Sequence, residues 1–258
     1  MTAGMAATSS YVARRDPSVR GKFALIMGVA IAVLGYVMMT ISSSPTVKGA
    51  SFLWLPAALQ LAAGVWLGPW YGFLAGGLGA YAAGILAYGG WGPQDLIQNL
   101  IAGGFANAML PAILFSLLRV DPTLGAKRPS DVLAGAYRML ILVLVVLGAG
   151  MFNKVVPLPG PWSLALPFVA LVVGARVLLS GLQLDKRSFV TAIGIAVFIC
   201  AVSAFIGALG AMYTGKTLVQ AIADPGIGWF VGDTVSAILG LYLLPLYPER
   251  LRAAGIIK

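Results

Sequence analysis

Asp95, Gln98, Asn99 and Asn107 fall within one largely apolar run, and Gln60, Arg176 and Asp233 interrupt other runs of the same kind. A polar side chain surrounded by apolar sequence must face protein or a wet cavity, so these residues are the candidates for chemistry. Asp95 and Asn99 are four apart, and Asn99, Gly103 and Asn107 continue that spacing along one face of a helix. Gly103 leaves a gap between two amides that suits a flat or compact molecule, and Pro111 frees the carbonyl of Asn107. Such groups donate and accept hydrogen bonds. They offer no nucleophile with a base beside it, no G-x-S-x-G turn and no phosphate loop, so the chemistry they support is recognition and no enzymatic activity is expected. The same amides could instead join helix to helix, at roughly 0.6–2 kcal/mol per contact. Both roles stay open at this level.

The composition narrows the classes further. The chain has 258 residues, 60% hydrophobic and 10% charged, with a mean hydropathy of +0.94, which excludes an ordinary water-soluble domain. There is no histidine, and Cys200 is the single cysteine. That removes the usual ligands for haem, copper and zinc and any internal disulfide, so neither metal nor cofactor is expected. The net charge of +9 would suggest nucleic acid in a soluble protein. Here the cations flank apolar runs, where anionic lipid head groups lie, and nucleic acid is not an expected partner.

The elements that must position the polar residues are eight apolar segments, at roughly 22–43, 51–68, 71–89, 96–118, 131–152, 162–183, 189–213 and 227–246. Each approaches the ~20 residues that a helix needs to cross a bilayer core. Alternating the connections puts Arg14, Arg15, Arg20, Lys22, Arg119, Lys127, Arg128, Lys186, Arg187, Arg250, Arg252 and Lys258 on one side. Lys48, Lys154 and Lys216 fall on the other. Cations resist translocation, so the richer side is expected in the cytoplasm. The expectation is an all-α, polytopic membrane bundle of about eight transmembrane helices, multi-pass in the cell (inner) membrane, with both termini cytoplasmic. Residues 1–21 form a cytoplasmic tail, 22–247 a single transmembrane domain and 248–258 a second tail. The first helix is expected to remain as an anchor, without a cleavable leader. No repeat relates the two halves, which argues against an inverted-repeat transporter.

Local signals refine this layout. Ala24, Gly28 and Ala32 form a small-residue stripe on the first helix, suited either to close packing within the chain or to docking a membrane partner. Gly68-Pro69-Trp70 is a tight turn, and Gly89-Gly90-Trp91-Gly92-Pro93 is a breaker cluster that leads to Asp95, an acid placed to cap the next helix. Arg176 pairs with Asp233, extends toward the interface, or takes part in recognising a charged ligand, and all three stay open. Arg138 reads as an interface anchor, and Asp224-Pro225-Gly226 as a loop turn.

Two family resemblances emerge from these residues. Val65-Trp66-Leu67-Gly68-Pro69-Trp70-Tyr71-Gly72-Phe73-Leu74-Ala75-Gly76 resembles the G-P-x-x-G-x-x-x-G turn of substrate-binding S-components of energy-coupling factor (ECF) vitamin transporters. The stripe Ala24, Gly28, Ala32 is similar to the surface on which those proteins meet a coupling subunit. That resemblance implies capture of a vitamin-like molecule from outside, with ATPases supplied by partners. S-components usually have six helices, fewer than the eight segments here. Trp54-x-Pro56 ahead of Gly68, then Asn107 and Pro111, then Gly232-Asp233 and Pro245, resembles the eight-helix membrane-associated sensor domains found ahead of signalling enzymes. A sensor of this kind would signal through a separate partner. A non-catalytic accessory subunit of a larger membrane complex is a third possibility. The expected site is a cavity open to the external side between helices two, four and eight. Gln60, Asn99, Asn107 and Asp233 would hydrogen-bond a small solute there, Trp54 and Trp229 would cover it, and Asp95 would guide it in.

Overall fold

The structure, a computed structural model, describes residues 17–41, 53–89, 92–126, 132–156, 162–246 and 248–256. Arg14, Arg15, Lys48, Lys127, Arg128 and Lys258 of the charge pattern, with Gly90 and Trp91 of the breaker cluster, lie outside the described residues. Among the described residues the chain is all helical: α1 (Pro17–Ile41), α2 (Pro56–Leu67), α3 (Pro69–Tyr88), α4 (Pro93–Leu117), α5 (Val132–Val155), α6 (Trp162–Leu178), α7 (Lys186–Thr214), α8 (Leu218–Leu243) and α9 (Pro248–Ala253). By length and composition, six of these can cross a membrane: α1, α3, α4, α5, α7 and α8.

The second apolar segment differs from expectation. Its helix starts at Pro56, whose ring suits the first helical position, and stops at Gly68, whose φ of +84° only glycine adopts without strain. The resulting 12 residues reach only about 18 Å at 1.5 Å per residue. Residues 53–55 are outside the helix, and the Trp54 N–H donates to the Gly232 carbonyl at 3.4 Å. Backbone of this kind at membrane depth has to find its partners within the protein. Helix α1 already begins at Pro17 and α9 lies at Pro248–Ala253, both within stretches expected as tails. A further difference is at α8, which begins at Leu218 under a Thr217–Gln220 capping box. Asp224-Pro225-Gly226, expected as a loop turn, is instead a kink inside that helix, where Asp224 takes φ −152° and ψ 106°.

α2 is buried along almost its whole length and packs against α1, α3, α4 and α8. Its lower part joins Phe115 of α4, Ile195 and Ile199 of α7, and Ala237 and Leu241 of α8 in one apolar core. The α5–α6 hairpin stands to the side and packs on α8 through Leu142, Val146, Leu171, Val235 and Leu239. The outer surface is apolar, with Leu25 70% and Val172 63% exposed, whereas Gln60 is fully buried. A surface of this type is stable in lipid and not in water.

The small stripe of α1 is used inside the bundle. Ala24 is buried, Gly28 faces the backbone of Ala75, and a side chain on Gly79 of α3 would meet the Gly28 carbonyl at 2.6 Å. Ala32 is half-buried. Close packing on α3, one of the two roles open to Ala24, Gly28 and Ala32, is thus seen at Ala24 and Gly28.

Candidate functional site

From Leu96 to Met109, α4 is wound as a π-helix, and that winding builds the site. At the ordinary ~100° per residue of an α-helix, Gln98 and Asn107 would point in opposite directions. Hydrogen bonds from i to i+5 enlarge each turn. Gln94, Gln98, Asn99, Ala102, Gly103 and Asn107 then line one wall of a single cavity of about 570 Å³. Glycines make room for it: a side chain on Gly103 would collide with Gln60 Nε2, and one on Gly207 would collide with the Trp229 ring, at 2.7 and 2.6 Å respectively.

All seven residues expected to bind a solute line this cavity: Trp54, Gln60, Asp95, Asn99, Asn107, Trp229 and Asp233. The walls come from α1, α3 and α7 as well as from α2, α4 and α8, so the enclosure is wider than the three helices expected. It runs from a rim that includes the exposed Tyr88 and Thr214 to a floor of Gln60, Asn107, Ser203 and Asp233, none more than 5% exposed.

The floor is one continuous hydrogen-bonded cluster. Gln60 Nε2 donates to the Gly76 carbonyl at 3.1 Å. Asn107 Nδ2 donates to Gln60 Oε1 at 3.2 Å and to Asp233 Oδ2 at 3.0 Å. The Ser203 hydroxyl donates to the same Asp233 oxygen at 3.0 Å. Three amide and acid side chains from α2, α4 and α8 thus meet, with a hydroxyl from α7. A buried carboxyl that receives two hydrogen bonds is far less costly than an isolated one.

Asn99 and Asp95 do not join that cluster. The Asn99 amide presses against Gly84 of α3, where no side chain would fit. Asp95 Oδ2 accepts the Gly92 N–H at 3.3 Å and so caps the start of α4 near the rim. Trp54 and Trp229 are half-buried on the walls. Arg176 is exposed on α6 and makes no ion pair with Asp233; the partners of Asp233 are neutral donors from α4 and α7. Arg138 is likewise exposed, close to Gly181 beyond the end of α6.

Ser203 is not among the residues that the sequence singles out, and Gln98, a candidate by its polarity, is not placed in the expected cavity. Gln98 Nε2 donates to the Gly207 carbonyl of α7 at 3.2 Å, and Gln94 Nε2 to Gln98 Oε1 at 3.2 Å. The available signal for Ser203 is its place four residues before Gly207, in a helix face otherwise made of small and aliphatic residues. A lone hydroxyl in such a stripe looks like packing until its partner is seen. No protein-family profile, curated protein or solved structure matches the chain.

Proposed function

We propose that the chain is an integral membrane solute-binding and uptake component, similar in role to an ECF S-component, that takes up a small vitamin-like molecule from the external side. The observation that carries this proposal is the buried polar floor, which lies at the bottom of a cavity of about 570 Å³ inside helices long and apolar enough to cross a bilayer. That volume falls within the usual ~300–1,000 Å³ of small-molecule sites. Six helices, α1–α4 with α7 and α8, surround the cavity, and the α5–α6 hairpin is peripheral. A six-helix unit with an added hairpin accounts for both the six helices of S-components and the eight apolar segments of this chain.

In this proposal eight segments lie at membrane depth, α2 completing its crossing with residues 53–55, and both termini are cytoplasmic. The rim is then external, on the side of Lys216, while the closed apolar core faces the richer cationic side. Coupling to ATPases would require a partner subunit docked on the outer surface of the bundle.

Native mass spectrometry of the full chain in mild detergent tests the function. A bound small molecule retained by the wild type and lost from Asn107→Ala is expected. A stable larger complex with an undisturbed cavity and no small molecule would favour an accessory-subunit role instead. Cysteine labelling tests the orientation, since native Cys200 is fully buried and gives no background. A membrane-impermeant maleimide should modify Val219→Cys in intact cells and leave Gln183→Cys unmodified until the membrane is opened. The reverse pattern would invert the topology.

A further inference from the structure

The floor of the cavity offers acceptors in preference to donors. Both hydrogens of the Asn107 amide go to Gln60 and Asp233, and the Ser203 hydroxyl goes to Asp233. Chemistry fixes those orientations: the Gly76 carbonyl can only accept, which sets Gln60, and a carboxylate oxygen can only accept, which sets Asn107. The amide chain therefore leaves Asn107 Oδ1 buried without a hydrogen-bond partner, on a residue 2% exposed that lines the cavity. A buried acceptor in this position calls for a donor from a ligand.

Charge points the same way. Among the described lining residues, the one cation is Lys216. Its ammonium is already tied to Asp224, at 2.8 Å to the carbonyl and 3.2 Å to Oδ2. Asp233 therefore has hydrogen-bond donors and no counter-charge on the floor. A carboxylate sheltered from water gains most from a partner that carries a positive charge. Trp54 and Trp229 line the same walls, and indole faces attract cations.

We propose that the cavity takes a small, flat organic cation, a protonated amine or amidinium whose N–H groups meet Asn107 Oδ1 and the Asp233 carboxylate. This rests on the solute-binding function proposed above and adds the chemical class of the solute. An anion would bring a second negative charge against Asp233, and a solute with acceptors alone would leave Asn107 Oδ1 unpaired.

Three probes of one shape separate these cases: benzamidinium, benzamide and benzoate, offered at millimolar concentrations to the full chain in detergent or nanodiscs. Tryptophan fluorescence and thermal shift report binding. Benzamidinium is expected to bind about ten-fold more tightly than benzamide, ~1.4 kcal/mol, and benzoate more weakly than either. Asp233→Asn should bring benzamidinium to within about two-fold of benzamide. Equal binding of all three, tighter binding of benzoate, or binding of none would overturn the cation assignment. The wild-type comparison alone decides this if Asp233→Asn fails to fold. A neutral or anionic solute found by native mass spectrometry would sink the cation assignment and leave solute binding standing. A purified protein that carries no small molecule and binds none of the probes would sink both.

Discussion

Replacing Asn107 with alanine is expected to weaken benzamidinium binding at least ten-fold, ~1.4 kcal/mol or more, and to lower stability by about 1–3 kcal/mol. Both effects come from one amide. Asn107 Nδ2 bridges Gln60 Oε1 and Asp233 Oδ2, so its removal leaves the Gln60 acceptor without that donor and Asp233 with Ser203 as its remaining side-chain donor from this cluster. Asn107 Oδ1, the acceptor offered to the solute, disappears with it. Asn99→Ala should be milder in both respects. Its amide lines the cavity and packs on Gly84, and it takes no part in the floor cluster. Binding titrations alongside thermal unfolding of the two variants check this contrast. Equal losses, or unchanged binding in folded Asn107→Ala, would remove the floor from the solute site.

Gly64→Val is expected to be the most destructive single substitution for the fold, at about 3 kcal/mol or beyond. A Cβ on Gly64 of α2 would overlap the Ala108 carbonyl of α4, and one on Gly72 of α3 would lie 2.6 Å from the Gly64 Cα. Three helix backbones therefore touch where these small residues meet. Backbone cannot rotate out of the way as a flexible side chain can, so the helices must separate, and the floor residue Gln60, one turn away on α2, moves with them. Dispersion contacts made by small residues are the main attraction between helices in lipid, where apolar burial alone provides little. Gly148→Ala in α5 serves as the control, because a side chain there meets open space within 4 Å. It should unfold at or above the wild-type temperature, since alanine favours helix more than glycine does. The yield of monodisperse protein and its melting temperature measure both variants.

Parts of this architecture are legible in the sequence and parts are not. The long apolar segments, and the breaks at Gly68 and Gly89, follow from local composition and from the conformational freedom of glycine. The α2 boundary is not legible because hydropathy cannot distinguish a buried 12-residue helix with a short non-helical lead-in from a spanning one. Both are equally apolar, and only Pro56 marked the difference. Asp224-Pro225-Gly226 reads as a loop for a similar reason: the residues that favour a turn also permit a kink, and the capping box at Thr217 decides for the kink. Asn99, Gly103 and Asn107 were placed on one face by their four-residue spacing. They line one cavity, and the π-winding of α4 turns Gln98 onto the same wall, a feature that no residue pattern in the run announces.

The sequence by itself determined that this chain is helical, apolar on its surface and supplied with a few polar groups that lipid would reject. Those are local properties, summed residue by residue along the chain. Only the tertiary structure decided that Gln60, Asn107, Ser203 and Asp233 meet in one cluster while Arg176 stays apart on the outer surface. Which polar side chains find each other depends on how each helix is rotated and how closely glycines let the backbones approach. Both are set by contacts between residues far apart in the chain.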